Sequence, residues 1–189
     1  VCLIEEDGKR TLWVAIADVA HYIEPETLLD DEARARATSV YLPHAVLPML
    51  PSRLSDNLCS LRAKVPRLAM TVSMQIENDC TIGKVAAFES IIEVQENLSY
   101  EDALDNPKFQ NMMDLAEELR RNEIRLNLNS AELRPRVHED EITVNVKWPN
   151  KATEMIETFM VATNNSIGIL LGEKNAPLPW RSHLSLIHI

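Results

Sequence analysis

Thr11 to Ala20, TLWVAIADVA, is a nearly continuous apolar run ending at Asp18. A strand with one wet face alternates apolar and polar residues, whereas a strand covered on both faces reads as an unbroken run. This stretch is therefore expected to be a strand buried on both faces. Such a strand needs partners on either side and cover above and below, so the chain must build a layered unit of helices and strands. The run is also far too short to cross a bilayer, which takes ~20 apolar residues.

The rest of the chain supplies those layers. Val1-Cys2-Leu3-Ile4 reads as the middle of a strand, so the chain is expected to start inside a fold. Asp7-Gly8 then marks a hairpin into the apolar run. Leu29 to Thr38, LDDEARARAT, places acids before arginines, which suits a helix and its dipole. Ser39 to Leu42 predicts a short strand stopped by Pro43, followed by a loop stiffened by Pro48 and Pro51 and a single helical turn over Ser55 to Leu61. Leu68 to Glu77 and Lys84 to Val94 read as a hairpin turning at Asn78-Asp79 and Gly83. Ser99 with Asp102 starts a helix, and Asn106-Pro107 breaks it and starts another, whose Phe109, Met112, Ala116 and Leu119 share one face. Ile142 to Trp148 alternates as a half-buried strand. Ala152 to Leu171 predicts an amphipathic helix through Ile156, Phe159, Met160, Thr163, Ile167 and Leu170, ended by Pro177 and Pro179. No repeat or linker interrupts this pattern. The fold class is α+β, a mixed β-sheet with flanking helices.

The residues that usually carry chemistry are thinly spread. The acid groups Glu5-Glu6-Asp7, Asp30-Asp31-Glu32 and Glu139-Asp140-Glu141 fall at turns or in a helix's first turn, where a solvated surface explains them better than a metal site. His21, His44, His138, His183 and His188 never pair at i, i+4, so zinc is not indicated. The four glycines are ungrouped, which removes a phosphate-cradling loop, and no G-x-S-x-G elbow occurs. Cys2, Cys59 and Cys80 form no C-x-x-C pair; reduced, buried, inert thiols and a cytoplasmic setting are expected. A net charge of −10 argues against gripping duplex DNA, but less against a strand threaded into a channel, which meets only the channel wall.

Three blocks, in order, resemble the catalytic domain of the exoribonuclease II/R (RNB) family: LWVAIADVAHYI at Leu12 to Ile23, LDDEARARATSVYLPHAVLPMLPSRLSDNLCSL at Leu29 to Leu61, and NKATEMIETFMVATNNSIGILL at Asn150 to Leu171, followed by PLPWRSH at Pro177 to His183. The middle block is the specific one. The resemblance is weakest over Asp105 to Trp148. VAIADVAHYI is closer to the ribonuclease R branch, NLCSLRA to the ribonuclease II branch. On this resemblance residues 1–183 are the N-terminal half of an RNB-type catalytic domain, and LSLIHI, Leu184 to Ile189, is a non-native or truncated tail.

The resemblance implies processive 3′→5′ hydrolysis of single-stranded RNA to nucleoside monophosphates, with Mg²⁺ held by aspartates of a D-x-D-D motif that would lie before Val1. The chain by itself is then expected to hold no catalytic residue and no metal ligand, and to be inactive. Neither a membrane nor DNA is an expected partner, and a monomer is expected. The alternative is a catalytically dead relative that keeps the RNA channel as a binding regulator. Matching positions imply that Tyr41 stacks on bases near the 3′ end, and that Tyr100 and Glu157 meet the ribose 2′-OH. Leu128 falls where relatives carry an aromatic clamp, which implies a looser hold on the last nucleotides. Asp18, His21 and Tyr22, at the end of the buried strand, either line the channel or fix a loop by hydrogen bonds, and Arg181 and His183 lie where they would approach phosphates. Without the resemblance Tyr41 reads as a strand core residue, Tyr100 as cover for a hairpin, and Glu157 as a surface charge.

Overall fold

A computed structural model describes residues 1–121, 130–138 and 141–180. Its centre is a four-stranded antiparallel sheet in the order β1-β2-β5-β6. Strand β1 (Cys2–Glu6) turns at Asp7 and Gly8, both with positive φ (50° and 73°), into β2 (Lys9–Ala17). That is the handed turn a two-residue hairpin needs. Helix α1 (Leu28–Arg36) follows, capped by Thr27, with Asp30 and Asp31 in its first turn and Arg34 and Arg36 in its last. The short pair β3 (Val40–Tyr41) and β4 (Val46–Leu47) forms a small hairpin, and a π-helical turn over Arg53–Leu58 replaces the expected helical turn.

The long strands β5 (Pro66–Ile76) and β6 (Ile82–Glu93) complete the main sheet. Their connection departs from expectation: Gly83 lies inside β6, and the left-handed position of the turn is taken by Cys80 at φ 61°. Then come α2 (Tyr100–Leu104), capped by Ser99, a 3₁₀ turn at Pro107–Phe109 capped by Asn106, and α3 (Gln110–Arg121). Strands β7 (Glu132–His138) and β8 (Glu141–Lys147) form a separate hairpin. Helix α4 (Lys151–Glu173) ends the described elements and opens on a capping box in which Asn150 and Thr153 satisfy each other's backbone N–H groups.

Helices α3 and α4 lie on one face of the sheet. Leu12 and Val14 of β2 and Val72, Met74 and Ile76 of β5 meet Met112, Met113, Leu115, Ala116 and Leu119 of α3 and Met155 and Phe159 of α4. The register explains the selection: Leu12 pairs with Met74 and Val14 with Val72, so all four point the same way. The expectation that β2 is buried on both faces is corrected. Its helix-facing Leu12 and Val14 are fully buried, but Trp13 and Ala15 opposite are only half-buried and Ile16 is 47 % exposed. An interior strand of an antiparallel sheet with helices on one face needs only one covered side.

Two further expectations change. On α4 the buried residues are Ala152, Met155, Thr158, Phe159, Ala162, Thr163 and Ser166, so the core face is rotated from the one drawn through Ile156, Met160, Ile167 and Leu170. Around Met155 and Phe159 the helix brings small side chains to the sheet, while Ile156, Met160 and Ile167 wedge at the margins. Ser166 Oγ comes within 3.4 Å of Met74 Sδ, a contact a bulkier residue would block. The cysteines are not buried: Cys2 is exposed on edge strand β1, and Cys59 and Cys80 are half-buried because each sits in a turn. Among the described residues no helix is long and apolar enough to cross a membrane.

Candidate nucleic-acid interface

The C-terminal end of β2 and the N-terminal end of β5 lie side by side, and the loop that bears Asp18, His21 and Tyr22 leaves from there. The Asp18 backbone N–H donates to the Leu68 carbonyl at 3.1 Å, which extends the β2–β5 ladder by one rung. The Asp18 carboxylate then accepts the His21 N–H at 3.2 Å, and the Tyr22 N–H donates to the Val19 carbonyl at 3.1 Å. The His21 and Tyr22 rings meet edge to face at 5.2 Å. The Asp18 carboxylate thus ties the loop after β2. Its charge also reaches Cys59, whose thiol is pushed up from its ordinary pKa, first by burial and then by this carboxylate.

Tyr41 stands on the β3–β4 hairpin, where it pairs with Val46 while the Leu42 N–H donates to the Ala45 carbonyl at 2.8 Å. The hairpin base is pinned twice: the Met49 N–H donates to Ser39 Oγ at 2.9 Å, and the Arg36 guanidinium donates to the Pro48 carbonyl at 3.3 Å. Two prolines and two ties give a short β-ribbon a fixed position that its own ladder would not hold. Tyr41 is 79 % exposed, so it is no strand core residue. A large aromatic ring held out in solvent by a rigid support is what a stacking platform requires.

Tyr100 begins α2 and is 40 % exposed, with the Lys147 ammonium 5.2 Å from its ring centroid. The same ammonium pairs with the Glu101 carboxylate at 3.1 Å. That carboxylate is held below its ordinary pKa by its own backbone N–H first and by Lys147 next. Glu157 lies on the exposed side of α4, one residue before buried Thr158 and two before buried Phe159, which fixes the helix face that sequence reasoning left open. Helix α2 packs on α4, so the elements bearing Tyr100 and Glu157 are neighbours. The Tyr41 hairpin is tied instead to α1 and the loop after β4. Leu128, Arg181, His183 and the tail 184–189 lie outside the described residues, as do Glu139 and Asp140.

Two features were not read from the sequence. Trp180 lies across the α4 positions Gly168 and Gly172, where a Cβ would come within 3.5 and 3.3 Å of its ring. Glycines four apart on an amphipathic helix were the available signal. The second is cationic: Arg62 donates to the Asp56 carbonyl at 2.7 Å, while Arg67 donates to the Ser60 carbonyl at 3.1 Å and to Asn57 Oδ1 at 3.0 Å. These guanidiniums brace the π-helical turn, a geometry often found at functional sites. As to a metal, among the described residues no three His, Cys, Asp or Glu side chains converge, so they do not fit a Mg²⁺ site.

The RNB domain model matches residues 1–186. Ribonuclease R of Mycoplasmopsis pulmonis (strain UAB CTIP) is 32 % identical over 189 residues, covering 91 % of this chain and 26 % of that protein. The structure of Mycoplasma genitalium RNase R in complex with ribose methylated single-stranded RNA superimposes with a TM-score of 0.88 at 27 % identity, over 96 % of this chain and 31 % of that one. Yeast Ssd1, described as a pseudonuclease, shares the fold at a TM-score of 0.56 and 23 % identity over 62 % of this chain and 16 % of its own. The chain thus spans about a quarter to a third of the length of the ribonuclease R proteins it matches. With the sheet, the helices and the sequence blocks all in agreement, the chain belongs to the RNB domain family.

Proposed function

We propose that the protein carrying this chain is a Mg²⁺-dependent 3′→5′ exoribonuclease that shortens single-stranded RNA processively to nucleoside monophosphates, and that residues 1–189 alone bind RNA without cleaving it. The observation that carries this reading is Tyr41, a solvent-exposed ring on a pinned hairpin inside the block that resembles the family's base-stacking segment. Stacking on an aromatic face is worth ~1–3 kcal/mol per base and is indifferent to base identity, which suits an enzyme that degrades any sequence. Tyr100 and Glu157, on the packed pair α2 and α4, supply a phenol and a carboxylate able to hydrogen-bond a ribose 2′-OH, the group that distinguishes RNA from DNA. On the same reading Leu128 covers the terminal base without an aromatic face. On this reading the carboxylates that hold the metal belong to a part of the protein outside residues 1–189.

A second reading is an RNA-binding protein without cleavage, because the fold also occurs in a protein described as a pseudonuclease. The two are separated by expressing the whole reading frame and incubating it with a 3′-tailed labelled RNA and the matching DNA, in Mg²⁺ and in EDTA. Stepwise shortening of RNA alone, in Mg²⁺ alone, is the expected result. Tight RNA binding with no shortening would transfer the protein to the binding class.

A further inference from the structure

We propose that Arg53, Arg62, Lys64 and Arg67, on the turns that follow the Tyr41 hairpin in the chain, form a cradle for the phosphodiester backbone of single-stranded RNA; this rests on the RNA-binding reading above. In a chain of net charge −10, residues 33–76 hold Arg34, Arg36, Arg53, Arg62, Lys64 and Arg67 against Asp56 alone. Pairing divides these cations. Arg34 and Arg36 are neutralised along α1 by Asp30 and Glu32. Arg10, Lys108, Arg120, Arg121, Lys147 and Lys151 also each face a carboxylate. Among the described residues Arg53, Arg62, Lys64 and Arg67 make no ion pair, and all four fall within one stretch of 15 positions, 53–67.

The backbone holds the four on the π-helical turn and the loop and strand start that follow it. Arg53 opens the π-helical turn, Arg62 reaches back to Asp56 within it, and Arg67 to Asn57 within it and to Ser60 just after it. Between them the chain makes a tight turn locked by three hydrogen bonds: Ala63 N–H to Asn97 Oδ1 at 2.6 Å, Asn97 Nδ2 to the Leu61 carbonyl at 3.0 Å, and Lys64 N–H to the Val94 carbonyl at 2.7 Å. Lys64 is held there at φ 60°, a left-handed conformation that costs a non-glycine residue energy and persists only where its surroundings enforce it. A guanidinium bonded to carbonyl oxygens keeps its whole charge, and several of its five N–H groups remain for a further acceptor. The net positive charge fixed here, amid an acidic surface, matches a phosphate chain. Asp56 is the acid nearest in sequence, and its carboxylate accepts from Ser55 Oγ at 3.0 Å. Glu96, beyond Val94, is taken up by Lys108 at 3.5 Å.

The test is the salt dependence of binding, measured by fluorescence anisotropy with a labelled oligo(U) RNA in EDTA, on the protein from its whole reading frame. Among the described residues neither the Arg53 nor the Lys64 side chain makes a hydrogen bond, so R53Q/K64Q is expected to leave the fold intact. Each phosphate contact on a single strand contributes about 0.7 to the slope of log affinity against log salt. R53Q/K64Q is expected to flatten that slope by about 1.4, while R53K/K64R retains it and Tyr41→Ala weakens binding without changing it. RNA binding with the same slope in R53Q/K64Q and wild type would overturn the cradle and leave the RNA-binding reading standing. Failure of the wild type to bind RNA at low salt would overturn both.

Discussion

Tyr41 shows how a residue's exposure decides between roles that its sequence context leaves open. In TSVYLP the tyrosine alternates like a core residue, and composition alone favours burial. The strand it sits in is only two residues long, and its partner β4 is equally short, so the ring has no second layer to enter. What remains is a side chain whose removal costs the fold little. Tyr41→Ala is expected to weaken single-stranded RNA binding by ~1–3 kcal/mol, about 5- to 150-fold, with the melting temperature unchanged, whereas Tyr41→Phe keeps most of the affinity. Anisotropy titrations beside thermal melts check this; a large drop in melting temperature with Tyr41→Ala would show the ring to be structural. Glu157 was readable only in part. Its neighbours Ile156, Phe159 and Met160 are all apolar, so periodicity gave two candidate faces, and only packing against the sheet chose between them.

At the scale of elements, strands were the more legible. The β1–β2 turn follows from Asp7-Gly8, and β5 and β6 from alternation, because a period of two admits a single core face. Helix α4 resisted because much of its core face consists of Ala152, Thr158, Ala162, Thr163 and Ser166, residues a hydrophobicity pattern ranks below the isoleucines beside them. Strand β7, ELRPRVH, was missed outright, since Pro135 and the charges argue against a strand although a two-stranded edge tolerates both. At the start of β2, a polar tie that no spacing announced joins three elements. Arg10 of β2 meets the Glu118 carboxylate of α3 at 3.1 Å, and the Cys80 thiol donates to the same oxygen at 3.1 Å. Glu118 is held below its ordinary pKa, first by the Cys80 hydrogen bond and then by Arg10. A depressed carboxylate contributes stability above its unfolded pKa and loses it as pH falls through the folded value. Glu118→Gln is therefore expected to destabilise at pH 7 by less than ~1 kcal/mol, because the pair is partly exposed, and its deficit should vanish in acid as the wild type protonates. Urea melts of both proteins at neutral and acid pH measure this; a deficit that grows in acid would reverse the sign and refute it.

For the molecule as a whole, the sheet carries helices on one face, and much apolar surface is left uncovered within the described residues. The β7–β8 hairpin is the extreme case. Ile142, Val144 and Val146 project from one side of β8 with exposures of 72, 55 and 54 %, and Leu133, opposite Val146, is 65 % exposed. An alternating strand with an apolar face in water is an edge that finds partners, because each buried Å² of such surface is worth about 25 cal/mol. The alternation of ITVNVKW was legible as a half-buried strand; the missing cover was not, because a pattern of residues states which face needs burying but not what buries it. Residues 1–189 expressed alone are therefore expected to self-associate, with a weight-average mass in sedimentation that rises with concentration. Changing Ile142, Val144 and Val146 together to threonine keeps β-propensity while removing most of the apolar face, and should lower that mass toward the monomer. A mass independent of concentration in the unaltered chain would show that the apolar face is satisfied within a single copy. Association that persists undiminished in the threonine variant would move the cause to the main sheet, where Ile91 is 72 % exposed beside Glu93 on edge strand β6.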